Sequence, residues 1–333
     1  MRALVYLGPR DMQLQERPDP EPGPGEVVIR SRVSAICGSD LHGFREASPR
    51  RIPPLVMGHE TVGVIESVGE HVDASRIGER VVLKPVLGCG LCWSCRAGDI
   101  NHCADGRLVG RDLAGGFAEL FAVPATAAVR VPDDLPDDVA VLCEPMSNAE
   151  HVAARAVREG DRVFVIGSGP IGVLMARAAL FHGASRALVT DPARERLRFA
   201  EAIGAEPIMS DDPAAAVLEA TDGEGADVVI DAAGFEATWA LGLRAVRPGG
   251  HVVEVGLGAA SGTVDFVAVL GKEATISGSY AWNDGDFARS LAMLAGGALD
   301  PAGWITRMPL ADGQRAFEEL VDGSGRFKVV LEP

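Results

Sequence analysis

Basic charge is the first thing this chain lacks. Its 31 Lys and Arg stand against 47 Asp and Glu, a net charge of −16. A surface that grips nucleic-acid phosphates needs a basic stripe, so the composition argues against nucleic acid and equally against anionic membranes. A long apolar run is missing too. The most apolar region, residues 163–189, is broken by Gly and Pro and carries Arg177, His182 and Arg186, which suits a buried strand–helix–strand and not a membrane span. No secretory apolar segment is read at the start, where Met1 to Tyr6 reads as a short strand turning at Gly8-Pro9. There is no internal repeat and no low-complexity tract.

What the chain has in quantity is turn-forming residues, 40 Gly and 21 Pro, together with six Cys. At 333 residues it is long for one core and comfortable for two domains. Six cysteines, four of them clustered, point to metal in a reducing cytoplasm more than to a disulfide framework.

Residues 1 to about 145 read as β-rich. Strands are expected at Val27–Val33, which delivers Cys37 to a loop, at Thr61–Val68, after Gly78, and across Gly115–Pro124. From about Asp161 the texture changes to short apolar strands alternating with amphipathic helices. Strands are expected at 163–166, 187–190, 207–209, 227–230, 252–256 and 274–278, with helices at 170–182, 193–203, 213–220 and 235–246. That alternation gives βαβ units and a parallel sheet, so the class is α/β. Helices near 285–296 and 311–321 and a last strand at Phe327–Leu331 follow, and that strand needs a sheet to join.

Three groups of residues carry chemistry. Cys89, Cys92, Cys95 and Cys103, spaced C-x2-C-x2-C-x7-C among Gly88, Gly90 and Gly98, suit a closed tetrahedral zinc site with no place for substrate. An iron–sulfur cluster or two disulfides are the rivals. Cys37-Gly38-Ser39-Asp40-Leu41-His42 and Gly58-His59-Glu60 offer a thiol, imidazoles and carboxylates. Cys37 and His59 with one carboxylate among Asp40, Glu60 and Glu144 would leave a labile fourth position. Zinc in such a site acidifies a bound hydroxyl, with Ser39 placed to accept the proton and His42 to pass it to solvent. Cys143, beside Glu144, reads more simply as a small buried hydrophobe.

The third group is Gly167-Ser168-Gly169-Pro170-Ile171-Gly172, between the strand Val163–Ile166 and a helix. This is G-x-G-x-x-G in the strand–turn–helix setting that dinucleotide binding requires, with helix N–H groups aimed at pyrophosphate. Asp191 ends the next strand, nineteen residues past Gly172, where a carboxylate binds ribose hydroxyls and repels a 2′-phosphate. NAD is therefore favoured, although Arg194 and Arg196 lie close by.

With these motifs in place, the chain resembles the zinc-dependent medium-chain alcohol dehydrogenase family along nearly its full length. The matching pieces are residues 37–42, 58–60, 89–103, Gly115–Glu119, Glu144-Pro145-Met146-Ser147, 167–172 and the Lys328–Leu331 ending. Glu144–Ser147 and His151 are similar to the polyol (sorbitol-type) and threonine dehydrogenase branch. The resemblance implies a GroES-like catalytic domain at 1–148 with a structural-zinc lobe at 86–105. It implies a Rossmann NAD-binding domain at 149–278 and a returning segment at 279–333. By it, Cys37, His59 and Glu144 hold catalytic zinc, with Glu60 a second-sphere or exchanging ligand, and Ser39 and His42 form the proton relay. Cys89, Cys92, Cys95 and Cys103 hold a second zinc. Gly167, Gly169, Pro170, Ile171, Gly172, Asp191 and Arg196 bind NAD. The implied activity is oxidation of a secondary alcohol (a polyol, sugar or cyclitol) to a ketone by a cytoplasmic homodimer or homotetramer. An amino alcohol such as threonine is the alternative substrate, and a non-catalytic NAD-binding protein is the alternative of another class.

Overall fold

The computed structural model describes residues 1–323 and 325–333. Two compact units result: Met1–Glu144 together with Trp282–Pro333, and Pro145–Ala281.

The first unit is built on a seven-stranded sheet around the long strand Glu26–Ala35. One edge of that strand pairs antiparallel with Glu60–Val68, which pairs in turn with Arg80–Leu83. On the other side the last strand, Lys328–Glu332, joins with Val330 opposite Ala35 and Leu331 opposite Ser34. The terminal strand therefore finds its sheet in the N-terminal β region, and the helix Asp284–Ala295 belongs to the same unit. Its core packs Tyr6, Phe44, Met57, Phe117, Phe317, Val329 and Leu331.

Two local expectations change here. Residues 38–45 form a helix and not a loop, because Asp40 at its third position accepts the Cys37 N–H at 3.1 Å and satisfies the helix start. The strand expected across 115–124 begins only at Leu120. Gly115, Gly116 and Phe117 instead donate their N–H groups to Val56, Gly58 and Met57 carbonyls, bracing the segment that leads to His59.

The second unit is a six-stranded, all-parallel sheet. Its strand order is Glu206–Pro207, Arg186–Thr190, Arg162–Ile166, Ala226–Asp231, Val246–Glu254, Thr275–Gly278. Order reverses at Arg162–Ile166, the switch point where an open α/β sheet binds its ligand. Helices fall where the periodicity predicts them, at Pro170–Phe181, Pro213–Ala220 and Glu236–Ala245, and a further one forms at Phe266–Lys272. This is the α/β class with a GroES-like and a Rossmann part. Among the described residues no helix is long and apolar enough to cross a membrane.

Candidate active site and metal centres

The strand Glu26–Ala35 aims Cys37 at the start of the helix Gly38–Arg45, and His59 stands just ahead of the strand Glu60–Val68. Pairing of the two strands brings these ends together: Ala35 lies opposite Glu60. One ligand atom each from Cys37, His59 and Glu60 lies within 4.8 Å of the other two. His59 and Glu60 are buried and Cys37 half-buried.

Asp40 is fully buried behind His59, its Oδ1 3.5 Å from His59 Nδ1 and 3.0 Å from Arg51 Nη2. Burial favours the neutral acid, yet His59, Arg51 and the Cys37 N–H bring its pKa down to about 2. Burial likewise opposes a charged His59, but Asp40 and Cys37 hold its pKa well above the ordinary value. The pocket thus favours a positive charge between Asp40 and Cys37, which a metal ion supplies as well as a proton. His59 Nδ1 is a buried polar atom without a hydrogen-bond partner. A thiol, an imidazole and a carboxylate so arranged fit zinc.

Glu144 opens the helix Cys143–Ala156 and is buried, accepting a hydrogen bond from Trp282 Nε1 at 3.3 Å. It is outside the set of mutually close donors. Burial pushes its pKa up to about 7, with His59 pulling it down and Glu60 pushing it up. Its charge thus responds to both residues. Cys143 is fully buried, with its Sγ facing the Phe287 carbonyl at 3.9 Å.

Ser39 and His42 lie three residues apart on the helix Gly38–Arg45 and share a face. Ser39 is half-buried and His42 exposed.

The four-cysteine lobe is bracketed by the small hairpin of Val86–Leu87 and Arg107–Leu108. The four sulfurs of Cys89, Cys92, Cys95 and Cys103 lie within 4.8 Å of one another. None is in a disulfide. Backbone N–H groups of Cys89, Leu91, Cys92 and Cys95 point at sulfur at 3.3–3.5 Å, the donor arrangement that stabilises thiolate. Cys92 is brought down to about 6 by Ser94 and the Cys95 N–H. The donor set fits a closed metal site.

In the second unit, Gly167 takes φ +99° and Gly169 precedes Pro170, the first residue of the helix Pro170–Phe181. A Cβ on Gly172 would stand 1.8 Å from the Gly167 carbonyl oxygen, whereas one on Gly169 would meet nothing within 4 Å. The space over Gly169 is what a pyrophosphate needs to reach the helix N-terminus. Asp191 Oδ2 accepts the Ser168 N–H at 2.7 Å and Oδ1 accepts the Ala193 N–H at 2.8 Å. Each oxygen keeps a lone pair for an outside donor. Ser168 Oγ donates to the Arg196 carbonyl at 3.1 Å, tying the glycine loop to the segment after Asp191. The exposed Arg196 side chain extends from that segment. These residues fit a dinucleotide.

Residues 23–133 match the alcohol dehydrogenase GroES-like domain, and residues 170–296 match the zinc-binding dehydrogenase family. L-threonine 3-dehydrogenase of Anaeromyxobacter is 37% identical, over 95% of this chain and 93% of its own length. D-xylulose reductase A of Aspergillus niger is 31% identical, over 97% and 94%. The chain belongs to the zinc-dependent medium-chain alcohol dehydrogenase family. An E. coli alcohol dehydrogenase solved with NADH superposes on this dehydrogenase with a TM-score of 0.93 at 31% identity, covering 100% of this chain and 99% of that one.

The dehydrogenase also holds three residues near its candidate site that sequence reasoning did not assign. Lys328 is buried, its Nζ 2.8 and 2.6 Å from the Glu60 oxygens and 3.1 Å from the Ile36 carbonyl. A lysine inside the apolar run Phe327–Leu331 was the available signal, since a fully buried lysine demands a counter-charge. Trp282, fully buried against Glu144, had no such signal. Arg51, buried at 6% exposure, had no such signal either.

Proposed function

We propose that this dehydrogenase oxidises a secondary alcohol of the polyol class, with zinc held by Cys37, His59, Glu60 and Glu144 and with NAD as hydride acceptor. The observation that carries the reading is the half-buried Cys37 thiol with the buried His59 imidazole and Glu60 carboxylate, all within 4.8 Å, with Cys37 capping the helix that carries Ser39 and an exposed His42. Zinc bound there would act as a Lewis acid, lowering the pKa of the substrate hydroxyl. Asp40 orients His59 from behind. Ser39 takes the hydroxyl proton and His42 delivers it to solvent. Glu60, already paired with Lys328, and Glu144, whose carboxyl burial pushes up to about 7, are the carboxylates able to enter and leave the ligand set. Cys89, Cys92, Cys95 and Cys103 hold a second zinc that stabilises the lobe. Gly167, Gly169, Pro170, Ile171 and Gly172 receive the pyrophosphate, and Asp191 the adenosine ribose, with Arg196 at its edge.

The D-xylulose reductase relatives support a polyol substrate, and the threonine dehydrogenase, at higher identity, supports L-threonine as the second reading. A panel of polyols, sugars and amino alcohols followed by NADH absorbance decides between them. Metal analysis should give two zincs per chain, falling to one in Cys37→Ala, with turnover lost and NADH affinity kept. Full turnover in that variant would remove Cys37 from the site. A homodimer or homotetramer is supported by the unpaired edge strand Thr275–Gly278 and by exposed Phe266, Val267 and Leu270 on the helix before it. A monomeric mass by light scattering would refute it. Reduced cysteines throughout suit a cytoplasmic setting.

A further inference from the structure

Among the described residues, Arg51 is the one buried guanidinium beside the Cys37–His42 run, and its position is costly. Its stem crosses Gly43 so closely that a Cβ there would lie 2.2 Å from Arg51 Cδ. Its fork then divides among several acceptors. Nε donates to the Ser39 carbonyl at 3.1 Å and Nη2 to Ser39 Oγ at 2.9 Å. Nη2 also lies 3.0 Å from Asp40 Oδ1, while Nη1 reaches the Gly110 carbonyl at 3.5 Å. A guanidinium withdrawn from water persists only where fixed acceptors replace its hydration. Three of these four acceptor atoms belong to Ser39 and Asp40.

We infer that Arg51 is a positioning residue for proton transfer, fixing the Ser39 hydroxyl as an acceptor on one side so that its remaining lone pair and its hydrogen are aimed along the relay. The inference rests on Ser39 acting as the relay proposed above. A serine hydroxyl has one hydrogen and two lone pairs. Arg51 is a donor only, so its N–H occupies one lone pair of Oγ and leaves the hydroxyl hydrogen to point elsewhere. The substrate hydroxyl gives its proton to the second lone pair as the original Ser39 hydrogen departs towards His42. Ser39 begins and ends neutral, and Arg51 neither gains nor loses a proton. The same Nη2 touches Asp40, so the hydroxyl and the carboxylate behind His59 are held by one rigid fork. A lysine, with a single point of charge, cannot hold both the Ser39 carbonyl and its hydroxyl in that geometry.

The test uses zinc-loaded enzyme, with D-xylulose reduction by NADH as the probe reaction, or L-threonine oxidation by NAD where that is the active pair. Arg51→Met should lower kcat by about tenfold, less than the roughly 10²–10⁴-fold that a proton-transfer group itself contributes, because Arg51 only positions that group. KM for NADH and the zinc content should be unchanged, and added guanidinium should restore part of the rate. Arg51→Lys should fail to restore it. In a Ser39→Ala background Arg51→Met should have no further effect on kcat, because the two act on one proton transfer. Gly43→Ala keeps the charge but displaces the stem, and it should reproduce the loss in kcat if Arg51→Met folds poorly. A kcat within twofold of the parent in Arg51→Met, or an equal loss in the Ser39→Ala background, would overturn the role of Arg51 alone. Full activity in Ser39→Ala would overturn the relay, and the role of Arg51 with it.

Discussion

Gly169 and Gly172 sit three residues apart in one loop, and the structure predicts different failures for them. At Gly172 a methyl group would be placed 1.8 Å from the Gly167 carbonyl oxygen and 2.9 Å from its carbon, where ordinary contact begins at 3.4 Å. The obstacle is backbone, so it cannot rotate away. Either the helix Pro170–Phe181 lifts off the sheet or the turn at Gly167 opens. Overpacking of this kind costs about 1–3 kcal/mol, and both escapes move the N–H groups that receive pyrophosphate. Gly172→Ala should therefore lower stability and weaken NADH binding together, the latter by tenfold or more at about 1.4 kcal/mol per decade. At Gly169 an added Cβ meets nothing within 4 Å and the backbone angle, φ −75°, is ordinary for alanine. Gly169→Ala should leave the unfolding midpoint unchanged and still weaken NADH, because the methyl group occupies the space the phosphates approach. Fluorescence titration with NADH and thermal unfolding without cofactor measure the two quantities separately. Normal NADH affinity in Gly172→Ala, or a loss of stability in Gly169→Ala matching that of Gly172→Ala, would refute the reasoning.

Two further predictions concern buried charge. Lys328→Met leaves Glu60 without its cation in a site where both are almost fully buried, which should cost roughly 3–5 kcal/mol, whereas adding Glu60→Gln should recover most of that; urea unfolding of the metal-free proteins checks it, and an unrecovered double variant would count against the pair. Asp227, despite burial that favours its neutral form, is brought down to about 2 by the Arg162 side chain and N–H and by Arg247. A carboxylate depressed in the folded state stabilises above its unfolded pKa and loses that contribution as pH falls through the folded one. The Asp227→Asn variant should thus trail the parent by about 1–2 kcal/mol near neutrality, after allowance for solvent screening, with the gap closing between about pH 4 and pH 2. A gap that does not change over that range in thermal scans would refute the assignment.

Much of the molecule could be read before it was folded, and the reason is local. The glycine loop, Asp191 and the four-cysteine lobe each lie within a few tens of residues, so spacing alone brings their atoms within reach. The strands and helices of 162–254 follow from period-2 and period-3.6 patterns written into contiguous segments. Competing hydrogen bonds, one local and one between distant segments, defeated the reading in two places. The Asp40 cap turned an expected loop into a helix, and backbone bonds to 56–58 took Gly115–Phe117 out of an expected strand.

The chemistry of the ligands, the presence of a nucleotide loop and the terminal strand's need for a sheet were determined by the amino-acid sequence itself. Only the tertiary structure decided which charges meet. Lys328 reaches Glu60 because the last strand pairs with Glu26–Ala35 in one register, Val330 opposite Ala35. A slip of one residue would turn that lysine to the opposite face of the sheet. Trp282 meets Glu144, and Arg51 meets Ser39 and Asp40, through packing that no spacing rule encodes. Motifs travel with the chain, whereas the partners of a buried charge are chosen by register and by the space its side chain must cross.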